Sequence, residues 1–236
     1  MIDLHSHILP GLDDGAATIA DSLAVARAAA AVGVTTVAAT PHVRDDYPTS
    51  AEEMERGVAS LTDALGEAGI SLAIAVGGEV SLDRLDRLSD DEIGRFTLGG
   101  SGRYLLVEFP YYGWPFTLEA QLRRLRQRGI VPVLAHPERN PEVQQATQRL
   151  DRLRRGGALA QVTIDSLTGV FGRRARRAAR DLMERRAVDV LASDSHAPGA
   201  YSLDAAGLAE AVGDRRLARY LTVDVPAAIL AGEDVS

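Results

Sequence analysis

One alternation recurs along the whole chain: a short apolar, β-rich run, then polar residues, then a helical run. The apolar runs cover residues 2–7, 35–42, 71–76, 104–109, 130–136, 158–164 and 188–194. Amphipathic or alanine-rich stretches separate them at 19–32, 51–67, 118–128, 141–155 and 173–186. Such alternation predicts a parallel sheet with helical crossovers. The runs are almost continuously apolar, which suits a sheet covered on both faces. Thr18 followed by Asp21 predicts the first helix start. Gly33, Gly69, Gly129 and Gly156 are the expected helix stops. The tail over 223–236 is expected to hold a short helix.

Candidate ligands stand at the C-terminal ends of six of these seven runs. In a closed barrel those ends ring a single mouth, where barrel active sites lie. An open sheet would spread them along a line. The expected fold is therefore α/β, a distorted seven-stranded parallel (β/α)7 TIM-like barrel, as a single domain over residues 1–236.

The length of 236 residues suffices for one such domain. The chain has no cysteine, which excludes disulfides and thiolate metal sites. A net charge of -7 argues against a nucleic-acid partner. All 26 basic residues are arginine, read as a compositional bias of the source. No apolar run is long enough to span a bilayer, so no membrane insertion is expected. The opening Met1-Ile2-Asp3-Leu4-His5 lacks the basic and apolar regions of a leader. The expected location is the cytoplasm.

The chemistry concentrates in the histidines. His5 and His7 alternate on the first run, so strand geometry turns both to one side. Asp13 and Asp14 follow in the next loop. His42 ends the second run, Glu79 follows the third, Glu108 lies on the fourth and His136 ends the fifth. Asp194 and His196 close the seventh, again at alternate positions. All five histidines of the chain thus fall on one pattern. Clusters of this kind point to a site, whereas lone ligand-type residues are usually mundane. The donors are nitrogen and oxygen without sulfur, which suits Mn²⁺, Fe²⁺ or Zn²⁺ better than Ca²⁺. The candidates are too many for one ion. Two or three ions sharing carboxylates is the natural arrangement, and it recurs in phosphate-ester chemistry.

These motifs resemble the PHP (polymerase and histidinol phosphatase) superfamily. They are His5-x-His7, Thr40-Pro41-His42, Gly78-Glu79, Glu108, Ala135-His136-Pro137-Glu138-Arg139 and Ser193-Asp194-Ser195-His196. Pro10-Gly11-x-Asp13-Asp14-Gly15, Gln161-Val162-Thr163, Ser166-Leu167 and Phe171-Gly172 resemble its bacterial capsule-type tyrosine phosphatase branch. The resemblance implies three divalent ions, manganese foremost, with iron or zinc as alternatives. It assigns His5, His7, Glu79 and Asp194 to the first, and Glu79, Glu108 and His136 to the second. Asp14, His42 and His196 fall to the third. It implies a phosphotyrosine protein substrate, a bacterial tyrosine kinase or its adaptor in exopolysaccharide regulation. The reaction would be attack of metal-activated hydroxide on phosphorus.

Arg139, just after the fifth run, is the expected phosphate clamp, because a guanidinium matches phosphate geometry. The branch carries a second phosphate-side arginine where this chain has Tyr201 or a near neighbour. Arg44 is a candidate substitute. Two other readings stay open: a phosphoesterase for a small molecule such as histidinol phosphate or a nucleotide, and a non-catalytic scaffold stabilised by metal. The 111–116 segment holds four aromatics and either contacts substrate or packs on its own fold. Seven arginines between 173 and 186 form a basic helix, either a solvated face or a dock for an acidic partner.

Overall fold

The computed structural model describes residues 1–235. Its strands are β1 (Ile2–Ser6), β2 (Thr36–Ala39), β3 (His42–Val43), β4 (Ala73–Ala75) and β5 (Glu79–Ser81), then β6 (Tyr104–Glu108), β7 (Val131–Ala135), β8 (Leu159–Thr163) and β9 (Val190–Ala192). Every strand pairing is parallel. One sheet runs β1-β2-β4 and the other β3-β5-β6-β7-β8-β9. The α/β class with parallel sheets is as the alternation requires.

The expected seven strands are instead nine, in two sheets rather than one closed ring. The second run divides into β2 and β3 around Thr40-Pro41, because Pro41 has no N–H to give a ladder. The third run forms β4, and a further strand, β5, starts beyond it after Gly77-Gly78. There the chain passes so close to Phe96 that a Cβ on Gly78 would stand 2.5 Å from Phe96 Cδ1. Backbone bonds still join the two sheets. Asp194 N–H donates to the His5 carbonyl at 2.9 Å, and His7 N–H donates to the Ser195 carbonyl at 2.8 Å. Within the first sheet, Thr40 N–H extends the β1-β2 pairing by donating to the Ser6 carbonyl at 2.9 Å.

Both faces of the strands are dry. Leu4, Ala38, Leu106, Val133 and Val190 pack together on one side, closed by Val225 and Ile229 of the C-terminal helix Val225–Ala231. Val37, Val107, Leu134 and Val162 pack on the other side against the outer helices. Burying each such side chain contributes about 1.5–3 kcal/mol. The helix Ile19–Ala31 starts with the expected capping box, Thr18 and Asp21 bonding reciprocally. The helix expected over 141–155 is broken. Pro141–Gln145 and Leu150–Arg155 are separate, with Ala146 extended between them and Thr147 bonding to Asp181. Gly33, Gly69 and Gly129 take left-handed backbone after their helices, and the helix Leu150–Arg155 stops at Gly156 as expected, with the left-handed residue being Gly157. The tail holds its helix at Val225–Ala231; Ser236 lies outside the described residues.

Candidate metal centre

The site begins with an irregularity in β1. Asp3 pairs with Val37 and Ser6 with Ala39, so β1 carries one residue more than β2 over that stretch. A bulge of this kind re-aims side chains beside functional sites. Leu4 packs into an apolar cluster, while His5 Nε2 comes to 3.2 Å from His7 Nε2. The two imidazoles meet as expected, but through a bulge rather than plain alternation.

Glu79, the first residue of β5, and Asp194, just past β9, complete the group. His5 Nε2 lies 3.4 Å from Glu79 Oε2 and 3.2 Å from Asp194 Oδ1. His7 Nε2 lies 3.5 Å from Glu79 Oε2 and 3.3 Å from Asp194 Oδ1. His5, His7 and Asp194 form one group with metal-ligand spacing, and Glu79 Oε2 stands beside both imidazoles. No residue of the group is more than 7 % exposed.

The remaining candidates surround this core. His136 Nε2 lies 2.9 Å from Glu79 Oε1. Glu108, at the end of β6, has Oε1 4.0 Å from His42 Nδ1. His42 Nε2 lies 3.5 Å from Asp14 Oδ1, and His196 Nε2 3.3 Å from the same oxygen. His7, Asp14, His42 and His196 form one group with metal-ligand spacing; His42, Glu79 and Glu108 form another, and His5, Glu79 and His136 a third. All nine candidate ligands converge on one mouth. His5 and Glu79 are fully buried at its floor, while Asp14 and His196 stand at its rim.

The backbone is bent to achieve this. Only His136, Asp194 and Arg186 among the described non-glycine residues have positive φ, and the first two belong to the site. Left-handed backbone costs a non-glycine residue about 1–3 kcal/mol and persists where surroundings impose it. At the ends of β7 and β9 it swings His136 and Asp194 inward from their strands.

Two side chains fix the imidazoles. His5 Nδ1 faces Gln161 Oε1 at 2.9 Å, and His7 Nδ1 faces Asp13 Oδ2 at 2.7 Å. Donation from Nδ1 leaves each Nε2 lone pair directed at the common centre. Asp13 also accepts from the His42 N–H at 2.9 Å and the Gly15 N–H at 3.0 Å. Neither residue was among the sequence-derived ligands. Of the Asp13-Asp14 pair, Asp14 faces His42 and His196 as the resemblance implies, and the structure adds that Asp13 meets the His7 Nδ1. Gln161 was legible only as part of a resembling motif.

The electrostatics favour added positive charge. Five carboxylates, Asp13, Asp14, Glu79, Glu108 and Asp194, face two guanidiniums, Arg44 and Arg139, a balance of 2 - 5 = -3 with neutral imidazoles. Burial opposes charge on His7, yet Asp13, Asp194 and Glu79 outweigh it and lift its pKa to about 10. Burial also opposes charge on Glu79, but His5, His136 and His42 hold it well below the carboxylate range. Glu108 moves the other way, raised by its own burial and the Glu79 charge. Glu79 Oε2 and His42 Nδ1 approach to 2.9 Å, yet neither makes an aligned hydrogen bond. Paired lone-pair donors without aligned protons fit a cation, and protons would compete for the same atoms.

Arg139 reaches the centre from the turn after β7. Its Nη2 forms an ion pair with Asp194 Oδ2 at 2.7 Å and donates to Thr163 Oγ1 at 3.1 Å, and its Cζ stands 3.7 Å from the Phe171 ring centroid. Arg44 Nη1 bonds Glu108 Oε1 at 2.9 Å, so it too borders the site. Tyr201 does not. Its hydroxyl is buried and donates to Asp3 Oδ2 at 2.6 Å, behind β1. The 111–116 segment divides: Tyr111 stacks on His136 with centroids 5.2 Å apart, whereas Trp114 packs edge-on against Phe109 at 5.7 Å.

Fold and site together define an α/β protein with a buried, mixed nitrogen–oxygen cluster that could hold metal. The chain belongs to the family described as capsular polysaccharide synthesis, CpsB/CapC, which matches residues 1–217. It is 35% identical over 198 residues to the tyrosine-protein phosphatase YwqE of Bacillus subtilis, covering 83% of this chain and 77% of that one. It is 32% identical over 204 residues to the tyrosine-protein phosphatase CpsB of Streptococcus pneumoniae, covering 83% of each. A solved structure from work on YwqE and CpsB, described there as metal-dependent tyrosine phosphatases, superposes with TM-score 0.86 at 30% identity, over 100% of this chain and 96% of the other. The lactonase Lmo2620 of Listeria monocytogenes shares the fold alone, with TM-score 0.58 at 13% identity over 99% of this chain and 95% of that one.

Proposed function

We propose that the protein is a metal-dependent phosphatase that removes phosphate from phosphotyrosine in a protein substrate. The observation that carries this reading is the buried set His5, His7, Glu79 and Asp194, in which each imidazole Nε2 lies 3.2–3.5 Å from an oxygen of both carboxylates. We assign that set to one divalent ion. Glu79, Glu108 and His136 would hold a second, and Asp14, His42 and His196 a third. Manganese is the ion we favour; iron and zinc suit the same donors. Such ions supply Lewis acidity toward a phosphoryl oxygen and lower the pKa of water toward neutrality.

The chain's own residues position the rest. Glu79 presents Oε1 to His136 and Oε2 to His5 and His7, so one carboxylate spans two ligand groups. Gln161 and Asp13 hold the Nδ1 atoms and keep both rings fixed. Arg139 is anchored by Asp194 and Thr163, which leaves further N–H donors for a phosphoryl oxygen. A tyrosyl leaving group has a pKa of about 10, so little acid assistance is required. Phosphotyrosine is favoured over small phosphomonoesters because YwqE and CpsB are named tyrosine-protein phosphatases. The substrate protein we propose is a bacterial tyrosine kinase or its adaptor, met in the cytoplasm.

The test uses metal-stripped protein with Mn²⁺, Fe²⁺ or Zn²⁺ restored in turn. Phosphotyrosine peptide, phosphoserine peptide and histidinol phosphate are the substrates, and His5→Ala/His7→Ala is the control. Metal-dependent release from phosphotyrosine, lost in the control, is the expected result. Release from histidinol phosphate alone would overturn the substrate assignment. No release from any of them would overturn the phosphatase reading.

A further inference from the structure

The helix Gly172–Glu184 starts beside the metal centre. Phe171, immediately before it, lies under the Arg139 guanidinium at 3.7 Å. Its inner face is Ala175, Ala178, Ala179 and Leu182, all buried. Its outer face carries Arg173, Arg174, Arg176, Arg177 and Arg180, all exposed. Among the described residues, none of these five has an acidic oxygen within 4.0 Å, whereas nearby Arg154 and Arg185 are paired with Asp189 and Asp151.

That arrangement is unfavourable for the isolated chain. Arg173, Arg176, Arg177 and Arg180 stand at spacings of three and four, where like charges destabilise a helix. The chain as a whole carries -7, so the positive field is local rather than general. A shallow groove runs along this face, and Asp181 and Glu184 close its far end. From Arg173 to Arg180 the helix rises about 10 Å, the reach of about three residues of extended peptide.

We propose that this face docks an acidic peptide segment flanking the phosphotyrosine. Aspartate, glutamate or further phosphates would supply the counter-charge that the chain lacks. The proposal rests on the phosphatase reading for the placement of the phosphotyrosine. It makes the arginine helix a determinant of which phosphotyrosines are reached, acting through affinity rather than turnover.

The experiment measures fluorescence anisotropy of labelled peptides on the metal-loaded protein. Each peptide carries a non-hydrolysable phosphonate in place of phosphotyrosine, with either acidic or uncharged flanks. Arg173→Gln/Arg177→Gln/Arg180→Gln is the variant, checked by thermal melting and by turnover of p-nitrophenyl phosphate, which should match the parent. The expected preference of the parent for acidic flanks is about tenfold, equal to about 1.4 kcal/mol. It should fall in high salt and vanish in the variant. Equal binding of the two peptides by the parent, or a preference that survives in the variant, would overturn the proposal. So would variant-sensitive binding to phosphatidylserine vesicles without any peptide preference, which would assign the face to a lipid surface. Absence of p-nitrophenyl phosphate turnover with every metal would sink the phosphatase reading instead, while the anisotropy would still decide the docking.

Discussion

Gly15 offers a sharp test of how the centre is built. A Cβ at this position would stand 2.1 Å from the His7 carbonyl oxygen, 2.5 Å from His7 Cβ and 2.9 Å from His7 C. Ordinary contact begins near 3.4 Å, so Gly15→Ala demands a shift of more than about 1 Å. Neither side can yield freely. The His7 carbonyl accepts from the Ala16 N–H at 3.1 Å, and the Gly15 N–H donates to Asp13 Oδ1 at 3.0 Å. The displacement therefore falls on His7 or on the Asp13-Asp14 loop, and both carry site residues. Productive geometry tolerates about 0.5 Å. The expected loss is about 10–100-fold in metal affinity and about 100-fold in turnover. Overpacking should cost about 1–3 kcal/mol, a fall of a few degrees in Tm for a chain of this length. Calorimetric titration with Mn²⁺, turnover of p-nitrophenyl phosphate and thermal melts of metal-free protein separate these effects. Gly66→Ala is the control: nothing lies within 4 Å of the added methyl, in the helix Ala51–Glu67, so stability should rise by about 0.5–1 kcal/mol. Parent-like metal affinity and turnover in Gly15→Ala would refute the account of His7.

The other predictions concern the surroundings of the ligands. Gln161→Leu removes the partner of His5 Nδ1 and should lower metal affinity about 10–100-fold, read by the same titration; an unchanged affinity would detach Gln161 from the centre. Tyr201→Phe leaves the buried Asp3 with one hydroxyl partner fewer and should cost about 1–3 kcal/mol in denaturant unfolding, with KM unchanged; a raised KM would return Tyr201 to the phosphate grip. Chelation should lower Tm by about 10 °C, because ions at 1,000 times Kd contribute about 4 kcal/mol to a chain of this length. Identical melts with and without chelator would remove the metal centre altogether.

The convergence of the nine candidate ligands was readable in the sequence because they follow strand ends, and strand ends follow apolar runs. His42, Glu108 and His136 needed no more than that. The bulge between Asp3 and Ser6 was not readable, since nothing in Leu4 or His5 marks the extra residue. The breaks at Thr40-Pro41 and Gly77-Gly78 carry residues that weaken ladders, yet they lie inside or beside apolar runs that read as continuous. The contact of Asp13 with His7 Nδ1 depends on where a loop lies in space, and local sequence does not fix that. The helix expected over 141–155 had a clean apolar pattern; its interruption at Ala146 coincides with a tertiary bond from Thr147 to Asp181. Tyr201 looked like a neighbour of the site by sequence distance from His196. Its hydroxyl turns instead to the buried Asp3, which Ser193 and the His5 N–H also bond.

The backbone bonds that tie β1 to the end of β9 also set an order of assembly. His5 and His7 emerge first from the ribosome, but Asp194 and Ser195 must be made before those bonds can close. The group takes two imidazoles from the first run, one carboxylate from the start of β5 and one from just past β9. A stalled or shortened chain would therefore hold imidazoles without their carboxylates. Ions should enter this group only after Asp194 has been made and its bonds to β1 have closed, which ties loading to the meeting of the two sheets.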